Sequence, residues 1–404
     1  MASPTYPLRV ERGIRLLGPD RYQVRVSAGT DPRTKRVQHV SKVVRTSRIA
    51  EVRRVKSELE AEVREGRRGG GSGTLSELLD QWVEERREGW ATKTYLENRR
   101  KIDRVIGPMI GSTRLDNLTS YDLDRFYRKL GEGWQAGEAK PDGLSGAPLS
   151  ARTVLQMHRM LHSALRQARK AGKVARNVAE DADLPKVQTI RHTIPNHDQV
   201  RQMIAGADKV ERVPEFSTLL LVAAHTGARR GELCALTWGD VDAVDSTITI
   251  RHAIGTFAGG TEVKDPKTHA IREVEIGPMV LEALIERKGR AIAAAELVGR
   301  TIEDDCYVFS PDIDGRDYLR PDTLSHAFVV LRKMLERETG RPWPYRFHDL
   351  RHYAATDILA DGGSATDAAH RLGHADAALI HSTYGHATKD RQRQLAKSTE
   401  AKLF

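Results

Sequence analysis

The chain has 404 residues, with 65 Lys and Arg against 55 Asp and Glu and a formal net charge of +10. That length predicts two or three domains. At 39% hydrophobic and 30% charged, the composition supports packed cores and excludes a wholly disordered chain. No stretch approaches the ~18 apolar residues that would span a membrane, and the Arg-rich first 30 residues lack the apolar centre of a secretory signal. Two cysteines, Cys234 and Cys306, build no disulfide framework, so a reducing cytoplasm is the expected compartment. The basic excess points to a polyanionic partner, nucleic acid first.

The charge is concentrated. Residues 1–70 hold 17 Lys and Arg against 8 Asp and Glu, leaving 48 against 47 for the rest. This predicts a separate basic module over 1–68. Tyr22–Ser27 alternates as a half-buried strand does, Gly29-Thr-Asp-Pro-Arg has turn chemistry, and Lys35–Val40 alternates again. Ser47–Glu65 places Ile49, Val52, Val55, Leu59 and Val63 three and four apart, a helix with one apolar stripe. A small sheet backed by one helix leaves a free basic face, with Arg25, Arg33, Lys35 and Arg36 as candidate DNA contacts. Gly66–Thr74, rich in glycine, reads as a flexible linker.

Residues 74–186 read as an all-helical domain. Thr74 caps a first helix carrying Leu75, Leu78, Leu79 and Trp82, and a second spans roughly 93–106. A third follows Thr119-Ser120 through Leu130, Gly131–Pro148 is a loop, and a fourth spans Ser150–Ala171. The fourth carries Val154, Met157, Leu161 and Leu165 on one face, with Arg152, His158, Arg159, Arg166 and Arg169 assigned to the other. Together with Lys93, Arg99, Arg100, Lys101 and Arg104, these basic positions could clamp a duplex. Lys93, Arg99, Arg152, His158 and Arg159 are the candidate contacts. A second linker near Leu184–Pro195 precedes a block over 194–404, helical with strands expected at Ser246–Ile254, Arg272–Ile276 and Tyr307–Ser310. The fold class expected overall is multidomain α+β, with a mainly α last domain holding a small antiparallel sheet.

Four segments of that block carry chemistry: His225-Thr-Gly-Ala-Arg-Arg-Gly-Glu-Leu; Asp265-Pro-Lys-Thr-His; Arg346-Phe-His-Asp-Leu-Arg-His; and Leu372-Gly-His-Ala, with Tyr384-Gly-His beyond it. His348 and Arg351 are three apart and face one side of a helix, where a guanidinium fork and an imidazole can cradle a phosphate. Arg229 follows a Thr-Gly turn at a helix start, where free N–H groups favour anions. Two arginine forks could grip the non-bridging oxygens of one phosphodiester and stabilise the charge they gain in the transition state. A tyrosine hydroxyl, with a free pKa of roughly 10, needs nearby cations and a proton acceptor to serve as nucleophile. Lys267, in the turn before the strand at Arg272, could protonate the leaving oxygen.

In this order the motifs TGxR, PKT, HxxRH, LGH and YxH resemble the tyrosine recombinases, the phage-integrase superfamily. The layout upstream resembles its integrases with arm-type DNA sites. The resemblance implies Arg229 and Arg351 as scissile-phosphate ligands and His348 as proton acceptor or phosphate donor. It implies His374 as a phosphate donor, Lys267 as general acid and Tyr384 as nucleophile forming a 3′-phosphotyrosyl bond. It implies strand exchange with no cofactor or metal, by a homotetramer on double-stranded DNA attachment sites, and leaves open an accessory directionality factor. Lys264 is the alternative to Lys267. Glu232, Arg230 and His352 read as supporting residues, and Thr388–Phe404 as a short helix that in the family packs on a neighbouring protomer. Three rival readings remain: a type IB topoisomerase-like relaxing enzyme, a histidine metal site at His348 and His352, and a non-catalytic DNA-binding regulator.

Overall fold

A computed structural model describes residues 7–30, 37–64, 73–187, 193–264, 271–373 and Glu400. The chain divides into two compact units, Met1–Thr189 and Ile190–Phe404. The fold is mixed α+β, with an antiparallel sheet near the N-terminus and small antiparallel sheets in the second unit. No helix among the described residues is long and apolar enough to cross a membrane.

In the first unit, β1 (Leu8–Glu11), β2 (Ile14–Gly18), β3 (Arg21–Thr30) and β4 (Val37–Arg45) form an antiparallel meander in that order. The pleat sends alternate residues to opposite faces. Ile14 pairs with Val24 and Val26 with Val40, and this face packs on Val52, Val55 and Leu59 of α1 (Ile49–Arg64). The two short strands before residue 21 escape the sequence analysis, because each carries only two or three apolar residues between glycine turns.

The helical part comprises α2 (Leu75–Glu85), α3 (Thr92–Lys101), α4 (Ser120–Glu132) and α5 (Ala151–Lys170). Thr74 and Thr119 each accept from the third helical N–H, and Glu77 and Asp122 reach back to the cap N–H groups. The helix expected at 93–106 instead leaves the α form at Lys101 and continues as a wider π-helix, Ile102–Gly111. Pro108, which has no N–H to give an α ladder, lies inside it.

The second unit opens with α6 (His197–Ala207), α7 (Phe216–Thr226) and the one-turn α8 (Arg230–Cys234). Then follow β5 (Val241–Asp242), β6 (Thr247–Ile250), β7 (Ala253–Phe257), β8 (Gly260–Lys264) and β9 (Arg272–Glu275). The helices α9 (Pro278–Glu296), α10 (Pro321–Thr339), α11 (Asp349–Ala360) and α12 (Ala365–Leu372) complete it. The sheet order is β5-β6-β9, with β7 and β8 a separate hairpin. The single strand expected at Ser246–Ile254 therefore breaks at Arg251–His252, where Arg251 turns aside to ion-pair with the buried Asp240. Tyr307–Ser310 is not a strand: it makes an isolated bridge to Thr237, and Val308 donates to Leu236 O over 2.8 Å. Its apolar residues Val308 and Phe309 are buried in the unit's main core, where α7 and the β6–β9 sheet also pack.

Candidate active site and DNA-facing surfaces

The α7 helix ends at Gly227 in the left-handed conformation (φ +63°). A side chain there would be strained and would lie 2.2 Å from Leu372 Cδ2. The turn places Arg229 at the start of α8. Gly231 is needed two residues on because a Cβ would approach Ile254 O of β7 to 2.5 Å.

Arg229 Nη1 donates to Glu232 Oε1 over 2.8 Å and its backbone N–H to Glu232 Oε2 over 2.9 Å. Its Nη2 donates to Gly373 O over 3.2 Å. These bonds fix the guanidinium while a quarter of the side chain stays exposed (25%). Glu232 is almost wholly buried (1%). Burial alone would raise its carboxyl pKa, but the hydrogen bond and charge of Arg272, aided by Arg229, outweigh this and hold it below the usual range.

Arg351 lies on α11 and is 3% exposed. Its Nη1 donates to Gly227 O over 2.7 Å, so it is tied to the turn that delivers Arg229. One turn earlier, at the N-terminal end of α11, His348 keeps one side at the surface and packs its ring 5.1 Å from that of His352. Burial of its other side, followed by the positive neighbours His352 and Arg351, pushes its pKa down to about 4. His348 is therefore a neutral imidazole near pH 7 and can accept a proton. Arg230 reaches Asp322 and Ser325 on α10.

The structure thus brings Arg229, His348 and Arg351 to one locality. Lys267, His374 and Tyr384 lie outside the described residues. Gly373, which precedes His374 in sequence, is itself bonded to Arg229. Lys264 closes β8, with its Nζ 3.9 Å from Glu262 Oε1. A cleft of about 730 Å³ lined by His197, Tyr353, Asp357, His370 and Arg371 includes none of Arg229, His348 and Arg351. Among the described residues no group of three His, Cys, Asp or Glu could hold a metal ion.

The buried Arg272 and the half-buried Arg371 escaped the sequence analysis. Arg272 is 6% exposed and donates from Nη2 to Glu232 Oε2 over 2.6 Å. Arg371 donates to His225 O and Glu275 O. For Arg272 a signal was present: it occupies an inward position of the alternating run Arg272, Val274, Ile276, where a charge requires a partner.

Of the DNA candidates, Arg25 is exposed on the sheet face opposite α1. The strand register aligns Arg9, Arg15, Gln23 and Val43 across that face, with Arg25 beside Ser41 and Arg21 beside Arg45. Arg33, Lys35 and Arg36 lie outside the described residues. Lys93, Arg152 and Arg159 are exposed, whereas Arg99 is held by Asp80 and Asp103. His158 is a correction. It is buried (8% exposed), and its Nδ1 lies 3.2 Å from Tyr127 Oη. It sits four residues after Val154 and three before Leu161, on the apolar face of α5 rather than opposite it.

Comparison with known proteins completes this picture. Residues 195–391 match the phage integrase family, and residues 74–131 match the N-terminal SAM-like domain of phage integrases. The ICEBs1 integrase of Bacillus subtilis is 28% identical over 183 residues, covering 45% of this chain and 47% of that protein, so the match spans about half of that relative. An integrase of Streptomyces ambofaciens is 26% identical over 322 residues, covering 77% of this chain and 76% of its own. A Tn1549 transposon integrase bound to circular intermediate DNA superposes with a TM-score of 0.67 at 20% identity, covering 81% of this chain and all of that one. A lambda integrase dimer on a core site gives 0.53 at 18% identity, covering 94% and 96%. With both regions matched over more than half its length, the chain belongs to the phage integrase family.

Proposed function

We propose that this chain is a site-specific DNA recombinase that cuts and rejoins duplex DNA through a covalent 3′-phosphotyrosyl bond, integrating and excising a mobile element. The observation that carries the reading is the pair Arg229, whose guanidinium is anchored by Glu232 and Gly373 O, and Arg351, anchored by Gly227 O, beside an imidazole whose pKa is pushed down to about 4. Two fixed forks present donors to the two non-bridging oxygens of one phosphodiester. Because the protein already holds them in place, little reorganisation opposes charge build-up on the pentacovalent phosphorus.

Tyr384 supplies the nucleophile. Its hydroxyl proton passes to an acceptor, for which the neutral His348 is suited, as the phenolic oxygen attacks phosphorus. His374 adds a donor to the phosphate. Lys267 gives a proton to the departing 5′-oxygen, so that a 5′-hydroxyl leaves. Attack by the 5′-hydroxyl of a second duplex on the phosphotyrosine reverses these transfers and restores Tyr384. The bond energy is conserved, and the step draws on no cofactor. Lambda integrase forms a tetramer on a Holliday junction, and the same assembly is proposed here, with DNA attachment sites as substrates.

The free face of the N-terminal sheet, with Arg9, Arg15, Arg21, Arg25 and Arg45, is proposed as a second DNA contact on arm sites. The domains 1–68, 74–186 and 194–404 would thus serve arm binding, core binding and catalysis, and Lys93, Arg152 and Arg159 would touch the core-site backbone. The test incubates the chain with two plasmids bearing the termini of its element and host target, in EDTA and without ATP. Joined recombinant plasmids are expected. Relaxation of any supercoiled plasmid without joining would instead favour a relaxing enzyme.

A further inference from the structure

Arg272 is unusual for a strand residue: its side chain is 4% exposed, and it ties together parts of the fold that lie far apart in sequence. Its Nη2 donates to Glu232 Oε2 over 2.6 Å, and its Nε to Arg371 O, in the last turn of α12, over 3.1 Å. The remaining nitrogen, Nη1, is buried with no partner among the described residues. The guanidinium lies against Gly373, where a Cβ would come within 2.9 Å of Nη1. Gly373 O is in turn an acceptor of Arg229 Nη2.

The charges explain why a second arginine is needed. Glu232 stays ionised and takes two bonds from Arg229. A carboxylate this close fixes the Arg229 fork, but it also cancels most of the positive charge that a phosphate would feel. A second guanidinium on the other side of the same carboxylate restores a net positive charge to the cluster without moving Arg229. Burial keeps water from screening it.

We infer that Arg272 is a positioning residue for the phosphate site: it neutralises Glu232 so that Arg229 is held in place yet remains cationic, and it pins the end of α12 to that site. The inference rests on the reading of Arg229 as a phosphate ligand. Removing a direct donor to a reacting anion costs about 10²–10³ in rate. Arg272 acts through Glu232, so Arg272→Gln is expected to slow cleavage on the order of 10- to 100-fold.

The test uses the full chain and a nicked suicide duplex, recovered from a random-core library by covalent capture on the wild-type protein. Single-turnover cleavage is measured alongside the affinity for orthovanadate, a probe oxyanion that needs no DNA sequence. Arg272→Gln should slow cleavage and weaken vanadate binding about tenfold or more. Adding Glu232→Gln should recover at least tenfold of the lost rate, because the uncompensated carboxylate is gone. A purely structural role predicts the opposite, a double variant as slow as the single one or slower. That result, or an Arg272→Gln rate within about threefold of wild type, overturns the inference.

Should Arg272→Gln fail to fold, Arg272→Lys keeps the charge and carries the test. A rate within about fivefold of wild type is expected, and a loss beyond about 100-fold overturns the inference. A wild-type chain that makes no adduct but binds vanadate with the expected ranking of variants overturns the recombinase reading and leaves Arg272 in its role. A wild type that does neither overturns both.

Discussion

Replacing Glu232 by alanine removes the hub of the second unit's polar core. Its carboxylate accepts three bonds, from the Arg229 backbone, Arg229 Nη1 and Arg272 Nη2, and is 1% exposed. The substitution leaves Arg272 a buried cation with no counter-ion among the described residues, and Arg229 without its carboxylate anchor. Breaking a buried pair from one side costs about 3–5 kcal/mol. For a unit the size of Ile190–Phe404, each kcal/mol moves the melting point by roughly 2–4 °C. Scanning calorimetry on the full chain should therefore show a fall of about 6–20 °C in the transition of the second unit, with that of the first unit unchanged.

The pH dependence has a definite sign. The folded-state pKa of Glu232 is depressed, so its contribution is present above the ordinary carboxylate range. It is lost as pH falls through the folded value, and the gap between wild type and variant should narrow below about pH 4. Glu232→Gln, which keeps an acceptor oxygen, should lose less than Glu232→Ala. A melting point for Glu232→Ala within about 2 °C of wild type, corresponding to less than about 1 kcal/mol, would refute the argument.

Other expectations follow from the same geometry. Burial, followed by His352 and Arg351, pushes the His348 pKa down to about 4, well below the ~6.5 of an unfolded chain. The unfolded state then binds more protons between these values, so stability falls as pH drops from about 6.5 through 4. His348→Gln should flatten that acid limb, and DNA, by placing a phosphate nearby, should raise the His348 pKa. NMR titration of the ring proton checks both, and a free-protein pKa at or above 6.5 would contradict them. On α5, His158→Ala should lower the melting point of the first unit, because the ring is buried against Tyr127. The exposed Arg159→Ala should weaken core-DNA binding at unchanged stability. Loss of DNA affinity without loss of stability in His158→Ala would restore the surface assignment.

Much of this architecture could be read from residue types. Caps such as Thr74, Thr119 and Ser150 set helix starts because the hydroxyl satisfies a local N–H, and local chemistry is visible in sequence. The placement of His348, Arg351 and Arg229 was legible for the same reason: His348 and Arg351 sit one helical turn apart, and Arg229 sits beside its own turn. What stayed hidden depends on distant partners. The role of Arg272 follows from Glu232, forty residues earlier, and from Arg371 O, nearly a hundred later. Tyr307–Ser310 has a strand's composition but, among the described residues, pairs only through one bridge to Thr237. His158 was misplaced although the 3.6-residue period puts it beside Val154 and Leu161.

The central claim is that Tyr384 attacks the phosphodiester. It is tested most directly by trapping the covalent complex on a suicide duplex and comparing wild type with Tyr384→Phe. The account predicts a denaturant-resistant protein–DNA adduct for wild type, mapped to Tyr384 by peptide mass. For Tyr384→Phe it predicts no adduct while DNA binding is retained. An adduct of undiminished yield from Tyr384→Phe would contradict it.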